Sequence, residues 1–292
     1  ATPAVFSLRL PYHCAPAVSR SLTAARARLV TDLIQVILLG IIEGITEFLP
    51  ISSTGHLLIA EKFGLGERSD VFNVVIQAGA ILAVTFIYWQ RIWELTTGFA
   101  KPENRDYALK LITAFLITCV LGLVVTKLGF KLPTEVAPIA WALLIGGFWM
   151  IAAETLAAKK PDSTRVTWRV AILVGIAQII AGVFPGTSRS AATIFVAMLA
   201  GTSNRAAATE FAFLVGIPTM YAASGYELLK LFRHGGGVAG ENWTDLGIAF
   251  VVSTIVAFVA VKWLLRYIQT HRFTPFAVYR IVLGAGLLLM LH

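Results

Sequence analysis

The chain has 292 residues, of which 57% are hydrophobic and only 14% are charged. This composition excludes an ordinary soluble domain, and uncharged runs such as the twenty residues 71–90 are long enough to cross about 30 Å of hydrocarbon. The formal net charge of +8 comes from Lys and Arg scattered between apolar runs, which excludes a nucleic-acid partner and indicates the positive-inside bias of a membrane protein. We therefore predict an all-α integral membrane protein surrounded by membrane lipid.

In chain order, residues 1–30 come first and contain four arginines and no acidic side chain. That composition is typical of a leader or an extension, and we expect residues 1–30 to lie outside the fold. Ten apolar segments follow and are predicted to be helical: 32–49, 52–63, 71–91, 108–128, 135–157, 168–184, 187–201, 206–231, 245–268 and 274–291.

Two pairs of these segments are interrupted. Pro50 breaks residues 32–63, and Pro185 with Gly186 breaks residues 168–201. The halves of each pair are too short to cross a membrane separately, so each pair is predicted to be a re-entrant helix–turn–helix. Irregular backbone at membrane depth is tolerated only where protein buries it or water reaches it, so both breaks should line one polar cavity.

The pattern occurs twice along the chain. Residues 31–157 and residues 168–292 each contain one broken pair followed by three full spans, and EFLPISSTGH in the first half corresponds to GVFPGTSRSAAT in the second. Because three is an odd number, the halves must have opposite orientations in the membrane. The predicted fold is one membrane domain of ten helices and six full spans, built from two inverted-topology repeats.

Basic residues in the loops predict the orientation. One set of loops contains twelve of them: Arg91, Lys101, Arg105, Lys110, Lys159, Lys160, Arg165, Arg169, Arg205, Lys262, Arg266 and Arg272. The opposite set contains six: Lys62, Arg68, Lys127, Lys131, Lys230 and Arg233. The face with twelve basic residues should be cytoplasmic, so the first broken pair is predicted to enter from the extracytoplasmic side.

Glu43 and Glu47 are the first candidate functional residues. They lie four residues apart on one helix face, where two like charges in a low dielectric repel each other. A divalent cation, Mg²⁺ or Ca²⁺, held between them would remove this penalty, as would a role in accepting protons. The alternative is that both carboxylates face a water-filled vestibule.

A cluster of hydroxyl groups follows Pro50. Ser52, Ser53 and Thr54 precede His56, and helix capping accounts for one or two of these hydroxyls but not for all three. The spacing of three from Ser53 to His56 puts an imidazole within reach of a hydroxyl proton. We therefore interpret Ser53 and His56 as catalytic, although a histidine in an apolar setting is more often structural.

The second break supplies a cation at membrane depth. Arg189 lies between Ser188 and Ser190, and Thr193 follows one turn later. A guanidinium, hydroxyl groups and a helix N-terminus that converge on one cavity are the features that bind phosphate. The alternative for Arg189 is simple neutralisation of Glu43 or Glu47. Arg280, within the last span, could reach a phosphate or extend to the membrane interface.

Three motifs, EGITEF, LPISSTGH and PGTSRSAAT, resemble in this order the signatures of the bacterial undecaprenyl-diphosphate phosphatase family, also called the bacitracin-resistance protein family. The resemblance extends over residues 31–292 and includes VVIQAGAILAV, EFAFLVGIPTM and FAVYRIVLG. One departure is Ala191, where members of the family often have glycine.

The resemblance implies a multi-pass phosphatase of the bacterial inner membrane. Its substrate would be undecaprenyl diphosphate, and hydrolysis to undecaprenyl phosphate and inorganic phosphate would recycle the lipid carrier of cell-wall synthesis and give bacitracin resistance. On this basis we expect Ser53 to attack the terminal phosphorus, His56 to transfer the proton and Arg189 to offset the charge. Alternatively, Ser53 only binds the phosphate, and His56 or a glutamate activates water.

A different class of function is also compatible with this pattern. Inverted repeats with broken helices are typical of transporters, so a lipid-phosphate flippase or an ion-coupled transporter is the second hypothesis. The pair of Ser53 and His56 favours the enzyme, because a simple carrier would not require it. The sequence leaves assembly as a homo-oligomer open.

Overall fold

A computed structural model describes residues 16–129, 135–233 and 242–291 of the chain, with side chains from Thr31 onward. These residues form eleven α-helices and no strand. The helices are α1 (Pro16–Thr46), α2 (Ser53–Ala60), α3 (Asp70–Ile87), α4 (Trp89–Thr97), α5 (Pro102–Lys127), α6 (Val136–Ala157), α7 (Trp168–Val183), α8 (Arg189–Ala200), α9 (Arg205–Arg233), α10 (Trp243–Thr270) and α11 (Thr274–Met290). A π-helical turn, Glu61–Leu65, follows α2.

Five of the described helices are long and apolar enough to cross a membrane: α3, α5, α6, α9 and α10. Helix α11 is apolar too, but has 17 residues. Each of the five was predicted from the sequence as a full span. The described part of the chain is therefore all-helical, and its long apolar helices indicate a multi-pass membrane protein.

The two predicted interruptions are confirmed. Helix α1 ends at Thr46 before α2 begins at Ser53, and α7 ends at Val183 before α8 begins at Arg189. Several helix boundaries differ from the prediction; α5, for example, begins at Pro102 instead of at residue 108. Helix α1 begins at Pro16, inside the segment expected to be a leader, of which residues 1–15 lie outside the described part of the chain. The segment predicted as one helix over 71–91 bends at Tyr88, so that the short helix α4 follows α3.

Helices α1 and α2 form one hairpin. Near its open end, Arg68 Nη2 donates a hydrogen bond to Gln35 Oε1 over 2.9 Å, and Gln35 Nε2 donates to Gly64 O over 3.5 Å. Residues 47–52, at the other end, form the tip, which we call the first tip. Gln35 of α1 and the chain just after α2 therefore lie close together, away from the tip.

Helices α7 and α8 form the second hairpin. Thr202 Oγ1 donates to Arg165 O over 3.0 Å, which joins the chain just before α7 to the chain just after α8. Residues 184–188 form the second tip. The two tips meet inside the protein, where Ser190 Oγ donates to Leu49 O over 3.0 Å.

The longer helices pack against the hairpins and against one another. Helix α10 packs against α1 and α3, whereas α5 packs against α7 and α9, and α6 packs along α11. The contact between α6 and α11 is close, because a Cβ atom added at Gly284 would lie 2.7 Å from Ala140 O. Both hairpins are thus packed against long helices.

Candidate active site

The two tips share an unusual backbone conformation. Ser52 and Ser188, the N-cap residues of α2 and α8, have φ angles of 76° and 69°, and among the described residues no other non-glycine residue has a positive φ. The hydroxyl of Ser52 accepts a hydrogen bond from Gly55 N, and that of Ser188 from Ala191 N. Such strain costs about 1–3 kcal/mol per residue and concentrates at functional sites. The conformation therefore indicates that functional residues lie at the tips.

Arg280 of α11 binds the backbone of both tips. Its guanidinium donates to Gly186 O and Thr187 O over 2.9 Å each, and to Pro50 O over 3.4 Å. A further bond of 3.1 Å reaches Ala142 O of α6. The residue is completely buried, and no carboxylate pairs with it within the described part of the chain. Arg280 thus satisfies carbonyl groups that the helix breaks leave free, and does not extend to the interface.

One carboxylate connects polar side chains of the two hairpins. Glu47 Oε2 accepts a short hydrogen bond from the hydroxyl of Ser53, the first residue of α2. Glu47 Oε1 accepts from Arg189 Nη2 over 3.1 Å, and Arg189 is the first residue of α8. The Glu47 side chain is 5% exposed and that of Arg189 20% exposed, so the pair is shielded from solvent.

The position of the Arg189 guanidinium depends on a glycine of α9. A Cβ atom added at Gly216 would lie 2.5 Å from Arg189 Nη1. On its other side, the guanidinium lies 5.7 Å from the centre of the Phe48 ring, a cation–π distance. Helix α9 therefore leaves room for the cation to reach across to the first tip.

The hydrogen bond expected between Ser53 and His56 does not form. His56 Nδ1 lies 2.7 Å from Ser52 O, and Nε2 lies 2.7 Å from the hydroxyl of Tyr279. The spacing of three residues does place both side chains on α2. Ser53, however, is the first residue of the helix, so its hydroxyl reaches back to Glu47, beyond the end of α1. The role of His56 in proton transfer stays a prediction without a direct contact to support it.

Glu43 lies beside Glu47, as the spacing of four predicted, and interacts electrostatically with Glu47 and Arg189. It is 1% exposed, and its Oε2 atom is buried without a hydrogen-bond partner. Both oxygen atoms of Glu47, by contrast, are already bonded. The described residues contain no group of three or more His, Cys, Asp or Glu side chains arranged to hold a metal ion. Glu43 Oε2 is thus the free carboxylate oxygen of the pair.

The residues predicted to bind phosphate separate into two groups. Ser52, Thr54 and Ser188 line the cavity described below. Ser190 donates to Leu49 O and lies 3.0 Å from the Ser188 hydroxyl, and Thr193 donates to Arg189 O over 2.8 Å. The contacts of Ser190 and Thr193 are therefore structural in this conformation.

A cavity of about 590 Å³ lies against both tips. Its polar end contains Glu47, Ser53 and Arg189, and most of its remaining wall comes from α5, α7 and α9. Leu123, Ile179 and Met220 are among the apolar residues of that wall. The cavity therefore joins a charged, hydroxyl-lined end to an apolar passage between helices, which suits a ligand with a charged head and a hydrocarbon tail.

The sequence was also compared with known proteins. The profile of the family described as bacitracin resistance protein BacA matches residues 36–286. The chain belongs to this family. Among its BacA-type relatives, a protein of Rhizobium etli named undecaprenyl-diphosphatase is 73% identical over 257 residues, which cover 88% of this chain and 96% of the relative. A protein of Xanthomonas oryzae pv. oryzae with the same name is 63% identical over 261 residues, covering 89% and 98% respectively.

Replacing Arg280 with lysine tests whether this side chain holds the tips. Lysine keeps the charge, but its single ammonium group cannot reach carbonyls on both tips and on α6 together. Each lost bond to a charged group is worth about 1.5–3 kcal/mol, so we expect the melting temperature of the purified protein to fall by about 4 °C or more. Arg266→Lys on the exposed face of α10 is the matched control and should leave the melting temperature unchanged. Equal melting temperatures for the two variants would contradict this role of Arg280.

Proposed function

We propose that this protein is an undecaprenyl-diphosphate phosphatase, which releases inorganic phosphate from undecaprenyl diphosphate and returns undecaprenyl phosphate to cell-wall synthesis. The names of its relatives support this activity. The cavity supports the substrate class, because its charged end suits a diphosphate and its apolar wall suits a polyprenyl chain. The relatives' names give no support to the transport hypothesis.

The observation that carries the mechanism is the hydrogen bond from the Ser53 hydroxyl to Glu47. A carboxylate that accepts this bond can take the proton as the hydroxyl oxygen attacks phosphorus. Ser53 Oγ then forms a bond to the terminal phosphorus while the bond from that phosphorus to the bridging oxygen breaks. Undecaprenyl phosphate leaves with the bridging oxygen. Water subsequently hydrolyses the phosphoserine, which releases phosphate and restores Ser53.

Arg189 stabilises the charge that this step moves. In the resting state its guanidinium is bonded to Glu47, and its other N–H groups remain for phosphate oxygens. When Glu47 takes the proton from Ser53, its attraction for Arg189 falls and the guanidinium is free to follow the phosphoryl group. The amide groups at the start of α2 and α8 add partial positive charge in the same place.

We propose that a divalent cation binds here as part of the enzyme–substrate complex. We propose that Glu43 Oε2, which is buried without a partner, provides a protein ligand for Mg²⁺ or Ca²⁺. Mg²⁺ sites commonly use one or two carboxylates together with substrate phosphates and water. Such an ion would neutralise part of the charge on the diphosphate.

We propose that the fold consists of two inverted repeats with six spans. Under this proposal α1, α2, α3, α5 and α6 correspond in order to α7, α8, α9, α10 and α11. The packing of α1 against α10 then matches that of α7 against α5, and the pairs α3–α9 and α6–α11 lie on the symmetry axis. Helix α11, the sixth span, is about 25 Å long at 1.5 Å per residue.

We further propose that the site opens to the extracytoplasmic side of the bacterial inner membrane. Hydrogen bonds connect the segments that carry the larger set of basic residues, as in the pairs Arg91–Glu210, Arg205–Glu154 and Lys110–Val166 O. These segments can therefore share one face, and the positive-inside rule makes that face cytoplasmic. The first hairpin has its open end near Arg68, on the opposite face.

Phosphate release from undecaprenyl diphosphate by protein in lipid nanodiscs tests the proposed activity. We expect Ser53→Ala and Glu47→Gln each to lower kcat by 100-fold or more, because one removes the nucleophile and the other the proton acceptor. Ser224→Ala is the matched control, since Ser224 is a buried serine of α9 whose hydroxyl bonds to Gln77. Wild-type protein that releases no phosphate would overturn the proposed function. Substantial turnover by Ser53→Ala would instead favour direct attack by water.

Removal of divalent cations tests the role of Glu43. A chelator should lower phosphate release at least tenfold, and Mg²⁺ or Ca²⁺ should restore it. Glu43→Gln should raise the cation concentration needed for half-maximal rate, because it removes the charge that attracts the ion. The control is Glu227→Gln, at a half-exposed position of the cavity wall, which should leave the cation concentration for half-maximal rate unchanged. Full activity in chelator would contradict the cation proposal.

A further inference from the structure

His56 has two hydrogen-bond partners, and together they define its tautomer. The carbonyl oxygen of Ser52, 2.7 Å from Nδ1, can only accept a hydrogen bond, so Nδ1 carries the ring proton. In the neutral ring, Nε2 is then an acceptor, and the hydroxyl of Tyr279 at 2.7 Å donates to it. The two rings are nearly parallel, with an interplanar angle of 11° and centroids 5.6 Å apart. Tyr279 thus holds the imidazole from the side opposite to the first tip.

The carbonyl that His56 binds belongs to the strained residue of that tip. Ser52 has a φ of 76°, and its oxygen also accepts the backbone N–H of His56 over 3.3 Å. The next residue is Ser53, whose hydroxyl faces Glu47. The direction of the Ser52 carbonyl fixes the peptide plane that leads into Ser53. A hydrogen bond to this carbonyl therefore affects where the nucleophile lies.

Adjacent residues of α11 hold the first tip at two points. Arg280 donates to Pro50 O, two residues before Ser52. Tyr279 acts on Ser52 itself, through His56. Arg280 is completely buried, whereas Tyr279 is 44% exposed, so the tyrosine contributes through its hydroxyl contact more than through packing in the core.

We propose that Tyr279 is a positioning residue for the reaction: by donating to His56 Nε2 it keeps the imidazole bonded to the Ser52 carbonyl, and so keeps Ser53 directed at Glu47. In this arrangement His56 supports the tip and does not exchange a proton with Ser53 in the resting enzyme. The inference rests on the proposed phosphatase activity for its kinetic test, but the state of the His56 ring can be measured without turnover.

The kinetic test uses Tyr279→Phe, which keeps the aromatic ring and removes only the hydroxyl. Loss of a group that orients a site residue typically costs 10- to 100-fold in activity, so we expect kcat to fall by about tenfold with KM unchanged. Tyr221→Phe is the matched control, because Tyr221 is also about two-fifths exposed and its hydroxyl contacts Thr85 at 3.2 Å, away from the tips. Both variants should melt within about 2 °C of the wild type, since each loses one exposed hydroxyl contact.

A double-mutant cycle shows whether Tyr279 acts through His56. In the His56→Asn background, Tyr279→Phe should change kcat less than twofold, because the link it supports is already gone. A kcat of Tyr279→Phe within twofold of wild type would overturn the proposal. An equal loss of kcat in the wild-type and His56→Asn backgrounds would also overturn the proposal. A change confined to KM would overturn it as well, because it would mean that Tyr279 acts in substrate binding.

Nitrogen NMR of the histidine rings gives a test that does not need activity. In protein labelled with ¹⁵N-histidine and held in bilayers, the His56 signals are those that disappear in His56→Asn. We expect wild type to show a protonated Nδ1 and an unprotonated Nε2, and Tyr279→Phe to show a second species protonated at Nε2. Identical His56 signals in wild type and Tyr279→Phe would overturn the proposal, even if the proposed phosphatase activity holds. Absence of phosphatase activity together with the expected spectra would overturn only the link to catalysis.

Discussion

The structure depends on how two breaks in helices are stabilised inside a membrane protein. Each break frees backbone carbonyl groups where little water is available to bind them, and an unsatisfied polar group there costs several kcal/mol. Arg280 satisfies free carbonyl groups of both breaks by donating hydrogen bonds to Gly186 O, Thr187 O and Pro50 O. The same contacts hold the two tips together. The buried guanidinium of Arg280, which binds carbonyl groups and not a carboxylate, thus determines where the hairpins meet.

The candidate active site is formed where the two tips meet. Ser53 and Arg189 are the first residues of α2 and α8, so bringing the helix starts together also brings a hydroxyl and a cation together. Glu47 lies between them and bonds to both. The positive ends of two helices point to the same place, which favours a phosphate group. The cavity that continues between α5, α7 and α9 is mostly apolar, which suits the hydrocarbon portion of the proposed substrate.

Much of this arrangement could be predicted from the sequence, and the exceptions have physical causes. Prolines and short apolar runs located the breaks, and polar residues within apolar segments indicated Glu47, Ser53 and Arg189 as candidate functional residues. Hydrogen-bond partners could not be predicted, because the spacing from Ser53 to His56 gives proximity on a helix but not rotamers. Tyr279 and Arg280 lie more than 220 residues from the first tip, and only the packing of α11 against α6 brings them near it. The bend at Tyr88 has no proline or glycine beside it, so no sequence signal marked it.

The most direct measurement is an acid quench of the first turnover, with undecaprenyl diphosphate labelled with ³²P in its terminal phosphate. If Glu47 activates Ser53 as a nucleophile, the label should appear on wild-type protein within that turnover, map to the peptide that contains Ser53, and be absent from Ser53→Ala. If wild-type protein carries no label at any time point and Ser53→Ala still releases phosphate, Ser53 is not the nucleophile. In that case water would be the nucleophile, and the contact between Ser53 and Glu47 would serve only to bind the substrate.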